Sequence, residues 1–327
     1  MKKLFISLIT SILCLQLPAQ DKNLIIAPDR PVPEPEIVSE PVTPDKSLIF
    51  AEYDTQKLSM DIYMPDDNLN EHYCIVFAYG GGFKDNNQKS STTASFCRKL
   101  ADDGYVAVAI DYRLGLKDVK MKGIASMVKP LENAVTMAAE DMLKATGFIL
   151  EHAKELKIKP DGIVLCGSSA GAMTALQTDY LLCNGSPLAS FLPDDFHFAG
   201  VMSFSGAVFS KEGKCDYKLH SPAPTMMLHG TADKIVTYNK ISFFNTRLSG
   251  SSDLVKRFKK NGYTYEIIRY VNEGHGVANR MSDSYYEVTW FLENIVRTGR
   301  HYEIDKTILD SDHKAPSWDK NDAKTLY

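Results

Sequence analysis

Six continuous apolar runs, each bounded by turn-forming residues, constrain the fold of this chain more than any other feature. They cover residues 74–79, 105–110, 163–166, 198–204, 225–228 and 265–271. Such runs are typical of strands buried on both faces of a sheet. Helices are predicted at 91–103, 131–156, 170–181, 239–249, 252–260 and 283–297. This alternation predicts an α/β fold, with a mostly parallel central sheet and helices on both faces.

The segment before the first buried run has a different pattern. Residues 47–53 and 58–64 nearly alternate between apolar and polar side chains, and the polar residues DTQK lie between them. Alternation on both sides of a short turn is typical of a β-hairpin. We therefore expect an antiparallel N-terminal hairpin at one edge of the sheet.

The N-terminal residues 1–19 have the composition of a signal peptide. Lys2 and Lys3 precede an apolar stretch at 4–17, and Ala19 is a small residue suited to cleavage. The stretch is too short for a comfortable membrane span. We expect export to the periplasm or the outside of the cell, without stable membrane insertion. A short anchor, a buried helix and lipidation at Cys14 are the alternatives.

Composition divides the rest of the chain into three parts. Residues 20–46 are rich in proline and acidic residues, which predicts an extended linker. Residues 47–300 are expected to form one domain. Residues 301–327 are polar and are interpreted as a C-terminal tail, although Trp318 and Tyr327 offer side chains that could pack on the domain.

The overall charge and the cysteines reduce the number of function classes that fit this chain. The chain is 24% charged with a net charge of -4, so it has no basic footprint for nucleic acid. Without Cys14, five of its six cysteines remain, in spacings that match no zinc site. An odd number leaves at least one thiol unpaired within the chain. The sequence does not decide whether Cys183 and Cys215 form a disulfide.

Three glycines directly follow the first buried run, in the stretch YGGGF at 79–83. Glycine loses more backbone entropy on folding than any other residue, so three in succession need a reason. One reason is a tight turn. The other is a site where backbone N–H groups must face a ligand with no side chains in the way.

The stretch GSSAG at 167–171 is a G-x-S-x-G motif between a predicted strand and a predicted helix. In this context the serine sits on a sharp turn that exposes its hydroxyl above the sheet, at the positive end of the helix. Ser169 is therefore the candidate nucleophile, and Ser168 is in the wrong register. The alternative is an ordinary strand-to-helix turn.

A serine nucleophile needs a base and an acid that orients the base, and in this architecture the acid comes before the histidine. Asp233 follows the fifth buried run, and His275 follows the sixth between two glycines. A turn acid and an exposed loop histidine are the alternative interpretations. His229 precedes the acid and is interpreted as a structural loop histidine.

Five stretches give the chain a resemblance to the α/β-hydrolase superfamily over residues 47–300. They are YGGGF (79–83), AIDYRL (109–114), GSSAG (167–171), HGTADKIV (229–236) and EGHG (273–276). Within the superfamily the chain resembles secreted carboxylesterases related to hormone-sensitive lipase and to bacterial acetylxylan and feruloyl esterases. The resemblance implies an α/β-hydrolase fold and a serine esterase that works through an acyl-enzyme and requires no metal or organic cofactor.

The resemblance also implies a role for each motif residue. The nucleophile would be Ser169, the base His275 and the acid Asp233, and the oxyanion N–H groups would come from Gly81, Gly82 and Ala170. The family usually has a histidine where this chain has Tyr79. Either the tyrosine hydroxyl makes the hydrogen bonds that fix the glycine loop, or this loop is held differently.

The expected substrate is less constrained than the chemistry. Export and a compact esterase core favour acetyl or feruloyl groups on polysaccharide or oligosaccharide, with a general short-chain carboxylesterase as the alternative. A serine peptidase is disfavoured because the chain has no room for a large extra domain. A non-catalytic binding protein is disfavoured because all three triad residues are present. The extra segments 114–132 and 184–198 are expected to line or cover the site.

Overall fold

The computed structural model describes residues 41–85, 90–120 and 124–309. Its strands are β1 (Lys46–Tyr53), β2 (Gln56–Tyr63), β3 (His72–Ala78), β4 (Val106–Ile110), β5 (Ile158–Ser168), β6 (Gly200–Phe204), β7 (Ala207–Ser210), β8 (Thr225–Gly230), β9 (Lys240–Phe243), β10 (Thr246–Gly250), β11 (Tyr265–Tyr270) and β12 (Glu303–Ile308). Its α-helices are α1 (Ser91–Asp102), α2 (Ile124–Glu151), α3 (Ala170–Cys183), α4 (Ser251–Asn261) and α5 (Tyr285–Phe291). None of the helices in these ranges is long and apolar enough to span a lipid bilayer.

Nine of these strands form one sheet in the order β1-β2-β4-β3-β5-β6-β8-β11-β12. Strand β2 is antiparallel to both of its neighbours, and the strands from β4 onward pair in parallel. The predicted fold class is confirmed: a mostly parallel sheet begins with an antiparallel hairpin at one edge. In parallel pairing the carboxyl ends of β3, β5, β8 and β11 meet at one edge of the sheet, where such folds place their sites.

Helices cover the sheet in two groups. Phe96 of α1 contacts Tyr285 of α5, with ring centroids 6.3 Å apart. The second group contains α2, α3 and α4, where Tyr217 bridges Tyr180 of α3 and Phe258 of α4 by edge-to-face contacts. The core strands are buried on all sides as a result, which explains their continuous apolar sequences.

The predicted helix at 239–249 is wrong. This segment forms the hairpin β9–β10, which pairs with β7 in a separate three-stranded sheet. Phe244, at the tip of the hairpin, has a positive φ of 50°, a turn conformation that a helix does not contain. The hydrogen bonds that hold β10 come from β7, about forty residues earlier in the chain, so local spacing does not reveal them.

The predicted domain boundary at residue 300 and the tail at 301–327 also need correction. Strand β12 extends the main sheet by pairing with β11. Lys306 on β12 lies 2.6 Å from the buried carboxylate of Glu266 and 5.2 Å from the ring centroid of Trp290. Charged residues are common on an edge strand because one side of it stays open to water, and this made the segment look like a polar tail. Residues 310–327 lie outside the described part.

At the other terminus, the predicted signal peptide (1–19) and most of the predicted linker (20–46) lie outside the described residues. The last linker residues are attached to the domain. The Asp45 carboxylate accepts hydrogen bonds from the Met64 N–H at 2.7 Å and from Arg98 at 3.0 Å. Strand β1 then begins at Lys46, one residue before the predicted start of the domain.

The disulfide that the sequence left open is not formed. Cys183 and Cys215 are both buried free thiols. The Cys183 thiol instead has two acceptors within reach, the Ser221 carbonyl at 3.4 Å and the Asp179 carboxyl at 3.7 Å. Burial raises the pKa of the Cys183 thiol, and the neighbouring Asp179 raises it further, so the thiol stays protonated.

Candidate active site

The turn between β5 and α3 holds Ser169 in a strained conformation, with φ 53° and ψ −116°. Its two glycines are fixed by close packing. A Cβ atom at Gly167 would lie 2.2 Å from the Gly171 carbonyl oxygen, and one at Gly171 would lie 2.0 Å from the Ala78 carbonyl oxygen. The G-x-S-x-G spacing therefore lets the turn pack against itself and against the end of β3, which exposes the serine hydroxyl.

The neighbouring serine has a structural contact. Ser168 Oγ donates to the Ala278 carbonyl at 2.8 Å and is buried. Ala278 belongs to the short 3₁₀ helix His275–Asn279 that follows β11. The bond ties the serine turn to the histidine loop, and it agrees with the prediction that Ser168 is not the nucleophile.

Ser169 Oγ lies 2.7 Å from His275 Nε2, which is hydrogen-bond distance for proton transfer. His275 begins the 3₁₀ helix after β11 and is mostly buried. The sequence places these residues 106 positions apart, and the sheet brings them together because β5 and β11 end at the same edge. Two of the predicted triad side chains therefore meet as expected.

The third predicted residue completes the arrangement. Asp233 Oδ2 lies 2.8 Å from His275 Nδ1, and Oδ1 accepts the N–H groups of Ile235 and Val236 at 2.9 and 3.0 Å. Burial raises the pKa of Asp233, but hydrogen bonds from His229 and His275 outweigh it and hold the pKa well below its usual range. An ionised carboxylate therefore faces the histidine that would receive the serine proton.

His229 has a contact that sequence reasoning missed. It is buried at the end of β8, and its Nε2 lies 3.2 Å from the Asp233 Oδ2 atom that also contacts His275. The interpretation as a structural loop histidine overlooked this. The available signal was the four-residue spacing between His229 and Asp233 immediately after a buried strand.

The predicted oxyanion residues surround the same site. Gly81 has a φ of +141°, and a Cβ there would lie 2.6 Å from the Asp85 carbonyl oxygen, so the position requires glycine. Gly82 also has a positive φ and lines the cavity with Gly81, Ser169 and His275. Ala170 is the first residue of α3, where N–H groups have no partner inside the helix. Donation by these N–H groups to an oxyanion stays a prediction.

Comparisons with known proteins agree with this fold. The BD-FAE family, which is esterase-like, matches residues 60–185. Esterase 2 of Thermogutta terrifontis phosphonylated by cyclosarin is 23% identical, covering 79% of this chain and 96% of that chain, with a TM-score of 0.55. The propionate-bound esterase from the same organism is 22% identical, covering 80% and 96%, also at a TM-score of 0.55. A search of curated proteins gives no match.

The chain has an α/β-hydrolase fold. The solved structures show the fold, while the triad geometry and the esterase-like family match make the protein a serine hydrolase that acts on carboxylic esters. Since the matched family region ends at residue 185, it contains Ser169 and the glycine loop, and the acid and the base lie beyond it.

The candidate site opens into a cavity of about 690 Å³. One wall is polar and is made by the loop after the three glycines, the start of α1 and the histidine loop. Its residues are Lys84, Asp85, Ser90, Thr92, Thr93 and Asn279. Ile235, Ala278 and Met281 form an apolar part. The described residues of the segments 114–132 and 184–198 do not line this cavity, contrary to expectation.

The buried Tyr79 hydroxyl makes no hydrogen bond to the glycine loop among the described residues, and its polar neighbour is the Tyr112 backbone. Tyr112 supplies the support. Its ring stacks on Tyr79 with centroids 4.6 Å apart, and its hydroxyl donates to the Tyr79 carbonyl at 2.8 Å. Of the two alternatives for this position, the structure agrees with the second, a loop held differently.

Proposed function

We propose that this α/β-hydrolase is an exported esterase that removes acetyl or feruloyl groups from polysaccharide or oligosaccharide. The observation that carries the proposal is the position of the Ser169–His275–Asp233 relay at an open cavity with one polar wall. Hydroxyl, amide and charged side chains suit an alcohol component rich in hydroxyl groups. The apolar part of the cavity, which includes Ile235 and Met281, suits an acyl chain or ring.

The reaction would proceed in two halves. Ser169 Oγ attacks the ester carbonyl carbon while His275 Nε2 takes the hydroxyl proton, and the C–O bond to the sugar then breaks as His275 returns that proton to the leaving oxygen. Water repeats the sequence on the acyl-enzyme and releases the acid. The N–H groups of Gly81, Gly82 and Ala170 are proposed to bind the oxyanion in both halves.

Export is the second part of the proposal. Its support is the N-terminal sequence, in which Lys2 and Lys3 precede the apolar stretch at 4–17. Polysaccharide esters are found outside the cytoplasm, so an exported enzyme would meet this substrate. Fractionation of cells that express the full chain, followed by mass measurement of the mature N-terminus, tests it. Uncleaved protein retained in the cytoplasm would contradict this part.

A general short-chain carboxylesterase is the second candidate. The observation that favours it is the similarity to the Thermogutta terrifontis esterase, whose solved structures include butyrate-bound and propionate-bound forms. A short acyl group would fit beside Ile235 and Met281 with no contact from a sugar.

Product release distinguishes the two candidates. Purified protein is incubated with acetylated xylan, with feruloylated xylan and with p-nitrophenyl esters of increasing acyl length, and a Ser169→Ala variant serves as the control. The proposal expects acetate or ferulate to leave the polysaccharide only with the unmodified protein. Hydrolysis of the p-nitrophenyl esters without any release from xylan would contradict the polysaccharide proposal and support the second candidate.

A further inference from the structure

His229 is the histidine of the site that the reaction sequence above does not use. It is fully buried at the end of β8, and it does not line the cavity. Its Nε2 lies 3.2 Å from Asp233 Oδ2 and 3.1 Å from the Val236 carbonyl oxygen. Both of those atoms are acceptors, so we assign the proton to Nε2. The other nitrogen, Nδ1, then accepts from the Ser251 hydroxyl at 2.8 Å.

This tautomer gives Asp233 a complete set of donors. Oδ1 accepts from the Ile235 and Val236 N–H groups, and Oδ2 accepts from His275 at 2.8 Å. The His229 N–H, which is shared with the Val236 carbonyl, lies beside Oδ2 at 3.2 Å. Each carboxylate oxygen therefore faces two N–H groups. A carboxylate held in this way can neither rotate away from His275 nor lose its charge easily, since each donor favours the ionised form.

The His229 ring is itself fixed from two directions. Ser251, the first residue of α4, holds Nδ1, and Tyr238 packs edge-on against the ring at 5.5 Å. The Tyr238 hydroxyl in turn accepts from Arg269 Nε of β11 at 2.7 Å. The ring therefore presents Nε2–H to Asp233 from a rigid surrounding, which is what an orienting donor requires.

We propose that His229 is a positioning residue of the triad, which acts on His275 by fixing the carboxylate of Asp233. The inference rests on the proposed hydrolase function, and it adds a fourth side chain and a supporting fifth, Ser251, to the relay. His229 touches neither the substrate cavity nor Ser169, so its removal acts on catalysis through Asp233 and not on substrate binding.

Two substitutions of His229 separate the effect of losing the N–H donor from the effect of changing the ring volume. His229→Phe keeps a ring and removes the N–H, whereas His229→Gln keeps a side-chain N–H at a similar reach. His72→Phe is the matched control: His72 is also buried, with Nε2 3.4 Å from the Asp67 carboxylate, but it lies at the start of β3, away from the site.

The primary readout is the rate at which a fluorophosphonate labels Ser169, with folding checked by circular dichroism. We expect His229→Phe to lower this rate, and kcat for p-nitrophenyl acetate, roughly 10- to 100-fold while KM changes less than about twofold. His229→Gln should recover most of the loss, and His72→Phe should label at the unmodified rate. If His229→Phe fails to fold, Ser251→Ala decides, with a several-fold slower rate expected because Nδ1 loses its donor.

Two results would overturn the inference. One is a folded His229→Phe protein, or a folded Ser251→Ala protein, that labels at the unmodified rate. The other is an equal loss in His229→Phe and His229→Gln, which would assign the effect to packing. An unmodified protein that is labelled at Ser169 but hydrolyses no ester would contradict the proposed function alone, because labelling still measures the activation of the serine.

Discussion

Asp179 and Asp233 are both buried aspartates, and their pKa values are shifted in opposite directions. Burial raises the pKa of Asp179 to about 7, and its two hydrogen bonds only partly oppose the effect. Burial also raises the pKa of Asp233, but hydrogen bonds from His229 and His275 outweigh it and lower the pKa. Burial alone thus disfavours a charged carboxyl group in this protein, and the donors around it decide whether it stays ionised.

The donors differ because the two aspartates occupy different elements. Asp179 lies inside α3, where its carboxyl group receives the Ala223 N–H at 3.3 Å and the Cys183 thiol at 3.7 Å. Asp233 lies in the loop after β8, where two N–H groups and two histidines reach it within 3.2 Å. A loop at the end of a parallel strand can wrap donors around a carboxylate, whereas in a helix the backbone N–H groups are already used.

The largest expected difference between the two aspartates is catalytic. Asp233→Asn should lower kcat by about 10⁴-fold, because an amide cannot hold His275 in the required tautomer or stabilise its charged form. Asp179→Asn should leave kcat within about twofold. Hydrolysis of p-nitrophenyl acetate at saturating substrate measures both. Similar losses in the two variants would contradict the distinction drawn here.

The next difference is in the pH dependence of stability. The pKa of Asp179 is about 4 in the unfolded chain and about 7 in the folded protein. The protonated carboxyl group therefore stabilises the fold below about pH 4, and this stabilisation is lost as the pH rises through about 7. Asp179→Asn cannot ionise, so its free energy of unfolding should gain roughly 3 kcal/mol relative to the unmodified protein between pH 4 and pH 8. Urea unfolding across this range tests the sign, and a constant difference would show that Asp179 does not titrate.

Asp233 should show the opposite pH dependence, and only its onset falls above pH 3 because its folded pKa lies well below the usual range. The pKa of Asp233 is about 4 in the unfolded chain and lower in the folded protein. The ionised carboxylate therefore stabilises the fold above about pH 4, and this stabilisation is lost as the pH falls toward the folded pKa. Asp233→Asn should therefore be less stable than the unmodified protein by roughly 2 kcal/mol near neutral pH, with the gap closing in acid. Thermal unfolding from pH 7 down to pH 3 measures the gap, and a gap that widens in acid would contradict the assignment.

The sequence was sufficient for the parts of the site that depend on local pattern. Ser169, Asp233 and His275 each follow a buried strand, and parallel strands bring their carboxyl ends together, so their meeting could be expected before any coordinates. The triad required no knowledge of side-chain packing. The mostly parallel character of the main sheet also follows from alternating strands and helices.

The parts that sequence reasoning missed depend on contacts between distant segments. The hairpin β9–β10 is held by β7, and β12 is held by β11 and by the ion pair of Lys306 with Glu266. The polar cavity wall depends on where α1 begins relative to the glycine loop. The contact of His229 with Asp233 depends on side-chain directions after β8, which a residue spacing alone does not give.

The central claim of this account is that Ser169 is an activated nucleophile, and it can be tested by covalent labelling. The unmodified protein and its Ser169→Ala and Ser168→Ala variants are treated with a fluorophosphonate probe, and the labelled residue is located by peptide mass spectrometry. We predict a label on Ser169 in the unmodified protein and in Ser168→Ala, and none in Ser169→Ala. A label on another serine, or labelling of Ser169→Ala at the unmodified rate, would contradict the account.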